Sequence, residues 1–226
     1  MKGNFFVIEG TDCSGKETQA RALVDRLNKE GKKAIYISFP MYDTPTGQII
    51  AANILGKAGY GECTFPEGTT HIPPKVAALY YAADRLYNVN LIKENLAKGY
   101  NIIMDRYVES NMGHQGAKLD SEKDKIEMLL WLEHLEYQML DLPKPDKVIF
   151  LYLPYKYGEK LRCSRKEIFD GAERDANHLI NAEQTYLLMA QRYKFVTINC
   201  IANKKIKSID EINEELYNIV SDYIAN

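Results

Sequence analysis

The sequence has almost no net charge, because its 29 lysines and arginines face 31 aspartates and glutamates, for a formal charge of −2 at pH 7. Proteins that bind nucleic-acid polymers or anionic membranes usually carry a clear excess of positive charge. We therefore expect neither kind of partner. A phosphate-bearing ligand would have to be held by a few cations placed within a local site.

Cysteine is scarce and scattered, with four residues and no C-x-x-C pair. This spacing indicates neither a zinc site nor a disulfide framework, and reduced thiols are typical of cytoplasmic proteins. Long apolar runs are also missing, so neither a signal peptide nor a membrane-spanning helix is expected. The length of 226 residues allows one α/β domain, and we expect a soluble, cytoplasmic protein with a single domain over residues 1–226.

The pattern Gly10-x-x-x-x-Gly15-Lys16 lies between a short apolar run that begins at Phe5 and an amphipathic helix. Glycines let the backbone curl so that several N–H groups point inward, and the N-terminus of the helix adds partial positive charge. Lys16 supplies a point charge for the outer phosphates of a nucleotide. A chance coincidence is the alternative, but the flanking strand and helix favour a phosphate-binding loop over residues 10–18.

Short apolar runs alternate with helical patterns, which predicts an α/β fold: a doubly wound, five-stranded parallel sheet with helices on both faces. The strands are expected near residues 5–8, 34–39, 101–105, 147–153 and 195–200. The helices are expected over 16–30, 48–55, 74–98, 121–139, 179–193 and 208–223. The loop-like stretch 56–74 is long for a compact domain, which indicates a functional or mobile loop.

Ligands of such sheets bind at the carboxyl ends of the strands. The phosphate loop, Phe39-Pro40 and Asp105-Arg106 are all expected there. The forked guanidinium of Arg106 suits a second phosphate, although a surface arginine with a structural partner would look the same in sequence.

Two further segments have both a functional and a structural interpretation. Tyr81 and Arg85 are four residues apart on one helix face, where they could stack a base and bind its edge. An aromatic residue at helical spacing is also typical of a core. The cationic stretch Lys160 to Arg174 could close over a triphosphate as a lid of about residues 160–178, or form a solvated helix face.

Taken in order, these motifs resemble the thymidylate kinase family over nearly the whole chain. The matching segments are Gly10-Thr11-Asp12 to Gly15-Lys16, Phe39-Pro40 with Thr44 and Gly47, Tyr81 to Arg85, Asp105-Arg106-Tyr107 with Ser110, Gln115-Gly116-Ala117-Lys118, and Pro145-Asp146 leading into Leu151 and Leu153. The resemblance implies a P-loop NTP hydrolase-like fold with a lid, and transfer of the γ-phosphoryl group of ATP to dTMP with Mg²⁺. It also implies a homodimer, for which the apolar helices 74–98 and 121–139 offer a surface.

The resemblance assigns roles to individual residues. Lys16 would hold the ATP phosphates, Arg106 would bind the monophosphate, and Asp12 would lie near the substrate sugar. Asp105 would lie near the metal-bound phosphates. The rest of the expected ATP site is Gly10, Thr11, Asp12, Cys13, Ser14, Gly15, Glu17 and Thr18.

For the nucleobase, the resemblance implies that Tyr81 stacks the thymine and that Arg85 bonds to its carbonyl edge. Asn111 and Gln115 would complete the base pocket. The other expected substrate-binding residues are Phe39, Pro40, Ser110 and His114.

The chain departs from the family pattern in the phosphate loop. Cys13 stands where some members have a catalytic arginine, while other members carry it in the lid. Arg162, Arg165 and Arg174 are the lid candidates, and Arg165 is the first choice. Glu17 stands where a Ser or Thr hydroxyl normally binds magnesium, so Glu17, Thr18 and Asp105 are the candidate metal ligands.

A second departure follows Phe39-Pro40, where the family commonly has an acid and an arginine and this chain has Met41-Tyr42. Together with Glu17, it leaves two alternatives open. One is a kinase for another nucleoside monophosphate or for a deoxynucleoside. The other is a nucleotide-binding regulator with little or no turnover.

Overall fold

Five parallel strands form the main sheet of the computed structural model, which describes residues 2–164 and 170–224. They are β1 (Phe5–Gly10), β2 (Ala34–Ser38), β3 (Asn101–Asp105), β4 (Lys147–Tyr152) and β5 (Val196–Asn199). The strand order is β2-β3-β1-β4-β5, which confirms the predicted doubly wound α/β fold.

Strand β1 lies at the centre of the sheet and is buried along its whole length. Successive side chains of a strand point to opposite faces. Phe5 and Val7 accordingly pack into one hydrophobic core, and Phe6 and Ile8 pack into a second core on the other face. Two covered faces explain why β1 and β3 read as continuous apolar runs.

Helices cover both faces of the sheet. They are α1 (Lys16–Lys29), α2 (Pro45–Ile49), α3 (Pro74–Tyr87), α4 (Val89–Ala97), α5 (Val108–Gly116), α6 (Glu122–Glu133), α7 (Tyr155–Ser164), α8 (Ala176–Tyr193) and α9 (Ile209–Ser221). Two π-helical turns, Ile50–Ile54 and His134–Met139, continue α2 and α6, and β6 (Ile201–Ala202) pairs with β7 (Lys205–Ile206) in a small hairpin. Within the described ranges, no helix is long and apolar enough to cross a membrane.

The prediction of a single helix over residues 74–98 is wrong in one respect. The structure divides this stretch into α3 and α4 at Asn88. The Asn88 amide donates to the backbone carbonyl of Asp84 at 2.9 Å and to its carboxylate at 3.1 Å. A side chain that bonds to nearby backbone competes with regular helix hydrogen bonds. The break therefore has a local cause that hydrophobic periodicity does not reveal.

Helix α5 was not predicted, because Gly113 and Gly116 lower its helix propensity. Both glycines allow α8 to pack closely: a Cβ on Gly113 would lie 2.6 Å from the ring of Tyr186, and one on Gly116 would lie 2.8 Å from Thr185. Tertiary packing thus overrides a weak local preference. Helix α7 was also not predicted as an element, and its last turn lies in the cationic stretch that was interpreted either as a lid or as a solvated helix face.

The loop 56–73 contains no helix or strand, as predicted. Within this loop, the side chain of Ile72 is fully buried. The hydroxyl of Thr69 donates to the carbonyl of Ile54 at 2.8 Å. The ammonium of Lys118, which follows the C-terminus of α5, donates to the carbonyl of Ile72 at 2.9 Å. These contacts hold the loop against α5, beside the cavity at the carboxyl ends of the strands.

Candidate active site

The phosphate loop joins the carboxyl end of β1 to α1. Gly15 has a φ of 80°, a left-handed conformation that favours glycine. A Cβ on Gly10 would lie 2.8 Å from the carbonyl oxygen of Leu151. The two glycines are therefore required by the backbone itself, which supports the phosphate-loop interpretation.

Lys16 is buried beneath this loop, where its ammonium donates to the carbonyls of Gly10 and Thr11, each at 3.0 Å. Burial, with the neighbouring charge of Arg106, lowers the pKa of Lys16 to about 8. No carboxylate bonds to this ammonium among the described residues. An anion in the loop would supply that missing charge.

Thr11 anchors the loop to the neighbouring strand. Its hydroxyl donates to the carbonyl of Leu153 at 2.6 Å and accepts from the N–H of the same residue at 2.9 Å. Ser14 lies nearby with a buried hydroxyl that has no hydrogen-bond partner among the described residues. The two bonds of Thr11 thus fix the loop against the strand.

A single cavity beside the loop collects all ten residues that were expected to bind the substrate. They are Asp12, Phe39, Pro40, Tyr81, Arg85, Arg106, Ser110, Asn111, His114 and Gln115. We call this space the front cavity. Gly10 and Thr11 of the loop also line it, whereas Lys16 and Asp105 are not among its lining residues.

Arg106 follows β3 with a φ of 66°, which is uncommon for a residue other than glycine. Its guanidinium lines the front cavity and forms no hydrogen bond to any residue of the described ranges. Burial alone would lower its pKa, but Tyr186, Asp105 and Glu9 outweigh that effect and raise it above its ordinary value. A charged, unpaired guanidinium in a cavity is a strong candidate for binding an anion.

Glu9 lies near Arg106 and was missed in the sequence analysis. It is fully buried and accepts from the backbone N–H of Tyr107 at 3.0 Å, the hydroxyl of Ser110 at 2.8 Å and the hydroxyl of Tyr186 at 2.9 Å. Burial raises the pKa of this carboxyl, while the charge of Arg106 opposes the shift. An acid inside an otherwise apolar strand is the signal that could have identified it.

Asp105 ends β3 with a buried carboxylate. Its Oδ2 accepts from the hydroxyl of Tyr36 at 3.1 Å, and its Oδ1 has no partner in the described part of the chain. Glu17 and Thr18 are exposed on the first turn of α1, and Glu17 is paired with Arg21 at 2.9 Å. Among the described residues, no three His, Cys, Asp or Glu side chains form a metal-binding group.

At the other end of the front cavity, Arg85 is fully buried and forms a two-pronged ion pair with Glu136 through Nε and Nη2. Its Nη1 reaches the carbonyl of Tyr107 at 3.4 Å. Asn111 donates to Glu136 at 2.9 Å, and the buried amide oxygens of Asn111 and Gln115 have no hydrogen-bond partner among the described residues. Glu136 was missed because it lies among other polar residues of the π-helical turn His134–Met139, where nothing in the sequence distinguishes it.

Aromatic and histidine side chains form the remaining walls of this end. Tyr81 packs with Tyr42 against a small apolar cluster around Ile54 and Ile72. His114 lies 3.2 Å from His178 of α8, between Nδ1 and Nε2, with the two rings stacked. Burial lowers the pKa of His114 and brings that of His178 to about 4. Both imidazoles are therefore neutral near pH 7.

Asp84 shapes the segment that follows Phe39-Pro40. Its carboxylate accepts from the N–H of Met41 at 3.0 Å and from the hydroxyl of Thr46 at 2.6 Å. This buried acid, on α3 next to Arg85, was also missed as a site residue. It fixes the turn that carries Tyr42 into the front cavity.

The lid reaches the phosphate loop through Arg162. Its Nη1 donates to the Asp12 carboxylate at 3.1 Å, and its Nη2 donates to the Tyr155 hydroxyl at 3.0 Å. Arg174 is exposed. Arg165, the first choice for a lid arginine, lies outside the described residues. Of the three candidates, Arg162 is the one that the described structure brings to the loop.

Comparisons with known proteins agree with this geometry. A model of the thymidylate kinase family matches residues 8–212. Human thymidylate kinase is 30% identical over 223 residues, covering 99% of this chain and 92% of that protein. A probable thymidylate kinase from Thermococcus onnurineus is 33% identical over 221 residues, covering 96% of each chain.

A solved structure gives the same result. The thymidylate kinase of Candida albicans, described as having broad substrate specificity, superposes with a TM-score of 0.74 at 26% identity, over 98% of this chain and 92% of that one. The resemblance expected from the motifs is therefore confirmed, and the chain belongs to the thymidylate kinase family.

Proposed function

We propose that this protein transfers the γ-phosphoryl group of ATP to dTMP, giving dTDP and ADP. The observation that carries the proposal is the guanidinium of Arg106, which is charged, unpaired within the described chain and open to the front cavity. A substrate that already carries a phosphate would fill that place. The phosphate loop lines the same cavity, so donor and acceptor phosphates would meet there.

The chemistry needs positioning and charge rather than a covalent intermediate. An oxygen of the dTMP phosphate attacks the γ-phosphorus of ATP, and the bond to the β–γ bridging oxygen breaks. Arg106 holds the attacking phosphate. Lys16 and the backbone N–H groups of the phosphate loop balance the charge that moves onto the leaving ADP.

This site could hold magnesium with only one or two protein ligands. The unpartnered Oδ1 of buried Asp105 is a hard oxygen beside the phosphate loop, and Mg²⁺ commonly takes one or two carboxylates together with phosphate oxygens. We assign Asp105 to hold the ion, with Glu17 or Thr18 as alternatives on the first turn of α1. When bound, the ion neutralises charge on the β- and γ-phosphates.

For the base, Tyr81 provides a ring for stacking, and Asn111 and Gln115 offer unpartnered amide oxygens as acceptors for N–H groups. Arg85 would reach a base carbonyl through Nη1, because Nε and Nη2 are taken by Glu136. Phe39, Pro40, Ser110 and His114 line the same cavity. This arrangement suits a base with both acceptors and a ring N–H, as in thymine.

Arg162 takes the role of the lid arginine in this proposal. Its bond to Asp12 places a second guanidinium beside the phosphate loop. On ATP binding, the phosphates would compete with Asp12 for this group, and Arg162 would then stabilise charge on the transferred phosphoryl group.

We also propose a cytoplasmic homodimer. Large apolar side chains are exposed on adjacent helices α3, α4 and α6: Val76, Leu79, Tyr80, Leu86, Tyr87, Leu91 and Leu130. An apolar surface of this kind favours association with a second copy, which light scattering after size exclusion would test. Cys63 and Cys200 are free thiols, which suits a reducing compartment.

The test is ADP formation from ATP and Mg²⁺ with dTMP, dUMP, dGMP, dCMP and thymidine as acceptors. The proposal expects dTMP to give the highest kcat/KM, and thymidine to fail because it offers Arg106 no phosphate. Preference for another monophosphate would keep the kinase and change the base assignment. ATP binding without ADP formation from any acceptor would favour the regulator.

A further inference from the structure

Glu9 is a buried acid in the central strand of the sheet, and the proposed phosphoryl transfer does not use it. It precedes Gly10, the first residue of the phosphate loop, and its side chain is fully buried. It does not line the front cavity, and it forms no ion pair with another described residue. A buried carboxylate without an ion partner is costly unless hydrogen-bond donors surround it. The donors of Glu9 therefore show what it holds in place.

One donor belongs to the backbone that carries Arg106. The N–H of Tyr107 donates to Glu9 Oε1 at 3.0 Å, and the N–H of Arg106 donates to the carbonyl of Ile8 at 3.3 Å. Strand β1 thus binds the backbone on both sides of the Arg106 Cα. The φ of Arg106 is 66°, a left-handed conformation that is unfavourable for a residue with a Cβ. Such a conformation persists only where the surrounding structure enforces it, and these two bonds are in place to do so.

Glu9 also binds the N-terminus of α5, which begins two residues after Arg106. Tyr107 is the N-cap of this helix, and its own side chain makes no capping bond. Ser110, in the first turn, directs its hydroxyl at both oxygens of Glu9, at 2.9 and 2.8 Å. A carboxylate beside the first turn also meets the positive end of the helix dipole. Glu9 therefore fixes the start of the helix that follows Arg106.

The third donor comes from α8. The hydroxyl of Tyr186 donates to Glu9 Oε2 at 2.9 Å, and the ring of Tyr186 stacks on Phe150 of β4 with centroids 5.5 Å apart. Tyr186 and Ser110 line the front cavity together with Arg106. Tyr186 and Glu9 are also among the groups that raise the pKa of Arg106 above its ordinary value. The network around Glu9 thus reaches the cavity wall beside the unpaired guanidinium.

We propose that Glu9 is a positioning residue that holds Arg106 in the conformation directing its guanidinium into the front cavity. It acts through its three donors and does not itself touch the substrate. The inference rests on the proposed function, because it takes Arg106 as the group that binds the acceptor phosphate. Charge alone predicts the opposite effect of removing Glu9, since a negative charge near Arg106 weakens phosphate binding. A positioning role and a purely electrostatic role therefore differ in sign.

The experiment compares the binding of dTMP and thymidine to the full-length chain and to its Glu9→Gln variant by calorimetric titration. The two ligands differ only in the phosphate, so the ratio of their dissociation constants isolates the contact with Arg106. The new amide N–H₂ would face hydroxyls that already donate, which disturbs the network at nearly constant shape. The preference for dTMP over thymidine should fall by about tenfold or more.

A double-mutant cycle with Arg106→Ala separates this role from a general effect on the fold. In the Arg106→Ala background, adding Glu9→Gln should change the preference by less than about twofold. A fall as large as in the unmodified background would overturn the inference. The control is Glu109→Gln, which removes another buried acid that does not line the front cavity and should leave the preference unchanged.

Two further outcomes separate the inference from the function on which it rests. An unmodified chain that binds thymidine as tightly as dTMP would overturn the phosphate contact of Arg106 and the inference with it. A chain that prefers dTMP, and keeps or increases that preference in Glu9→Gln, would overturn the inference alone.

A second variant keeps the test decisive if Glu9→Gln does not fold. Tyr186→Phe removes one donor to Glu9 and leaves the aromatic ring on Phe150. Its preference for dTMP over thymidine should fall by about threefold or more. An unchanged preference in a folded Tyr186→Phe chain would overturn the inference.

Discussion

The two ends of the front cavity each hold an arginine, and the two differ in their partners. Arg85 is bound by both carboxylate oxygens of Glu136, which also accepts from Asn111. Arg106 has no hydrogen-bonded partner in the described chain. Sequence places both residues at a ligand site, but only the structure shows that one charge is already compensated and the other is not.

The contrast separates a scaffold from a binding group. Taking a charge out of water is costly, so a buried charge needs a partner inside the protein or in its ligand. Glu136 is the internal partner of Arg85, and the pair fixes the floor of the base pocket. For Arg106 the phosphate of the substrate would be the partner, which is why the two arginines should respond differently to the same substitution.

The largest effect is expected for Arg106→Ala. Losing the guanidinium that holds the acceptor phosphate should lower kcat/KM for dTMP by about 10³-fold or more. The free energy of unfolding should change by only about 1 kcal/mol, because no ion pair is broken. Steady-state kinetics and urea unfolding measure the two quantities.

The exposed Arg192 on the outer surface of α8 provides the control. Arg192→Ala should leave both kinetics and stability unchanged. An Arg106→Ala enzyme with normal kcat/KM would contradict the assignment of the acceptor phosphate.

Arg85→Ala should instead lower the free energy of unfolding by about 3 kcal/mol, because it leaves Glu136 buried without its counter-charge. Chemical denaturation of the variant measures this loss. The double variant Arg85→Leu with Glu136→Leu should recover part of it, since it removes both charges. Because Nη1 of Arg85 is also proposed to reach the base, some loss of dTMP affinity is compatible with this role, whereas full stability of the Arg85→Ala variant would contradict it.

Glu109 is a buried acid that, like Arg106, forms no ion pair with a described residue. Burial raises its pKa to about 7, from an ordinary value near 4.5. Its contribution to stability is therefore present below about pH 4.5 and is lost as the pH rises through 7. Glu109→Gln should stabilise the fold by roughly 2 kcal/mol at pH 8 and hardly at all at pH 5.

Thermal or urea unfolding of the Glu109→Gln variant at both pH values tests this. Glu62→Gln, at an exposed position, is the comparison variant and should change the free energy of unfolding little at either pH. Equal effects of Glu109→Gln at pH 5 and pH 8 would show that the carboxyl does not titrate between them.

The smallest effect is expected from a change of pH that acts on Lys16. Its ammonium bonds to two carbonyls and to no carboxylate of the described residues. Since its pKa in the free protein is about 8, raising the pH through 8 removes the charge that ATP needs. KM for ATP should rise by up to about tenfold between pH 7 and pH 9. Arg does not titrate in this range, so Lys16→Arg should flatten the profile whatever its basal activity.

Much of the fold could be predicted because its signals are local. The apolar runs of β1 and β3, the Gly10 and Gly15 spacing and the capping box at Ser208 each lie within a few residues of chain, and each was found in the predicted place. Helix α5 was missed because its glycines are explained only by the contact with α8. The break at Asn88 depends on a side-chain bond that periodicity does not encode.

The sequence by itself determined the doubly wound sheet, the phosphate loop and the family, because each follows from short patterns of residue type and spacing. Tertiary structure decided the pairing of charges: Arg85 with Glu136, Arg162 with Asp12, and Arg106 with no group of the described residues. These residues are between about 50 and 150 positions apart in the chain. Burial and distance, which exist only in the folded chain, separate a structural arginine from one that would bind phosphate.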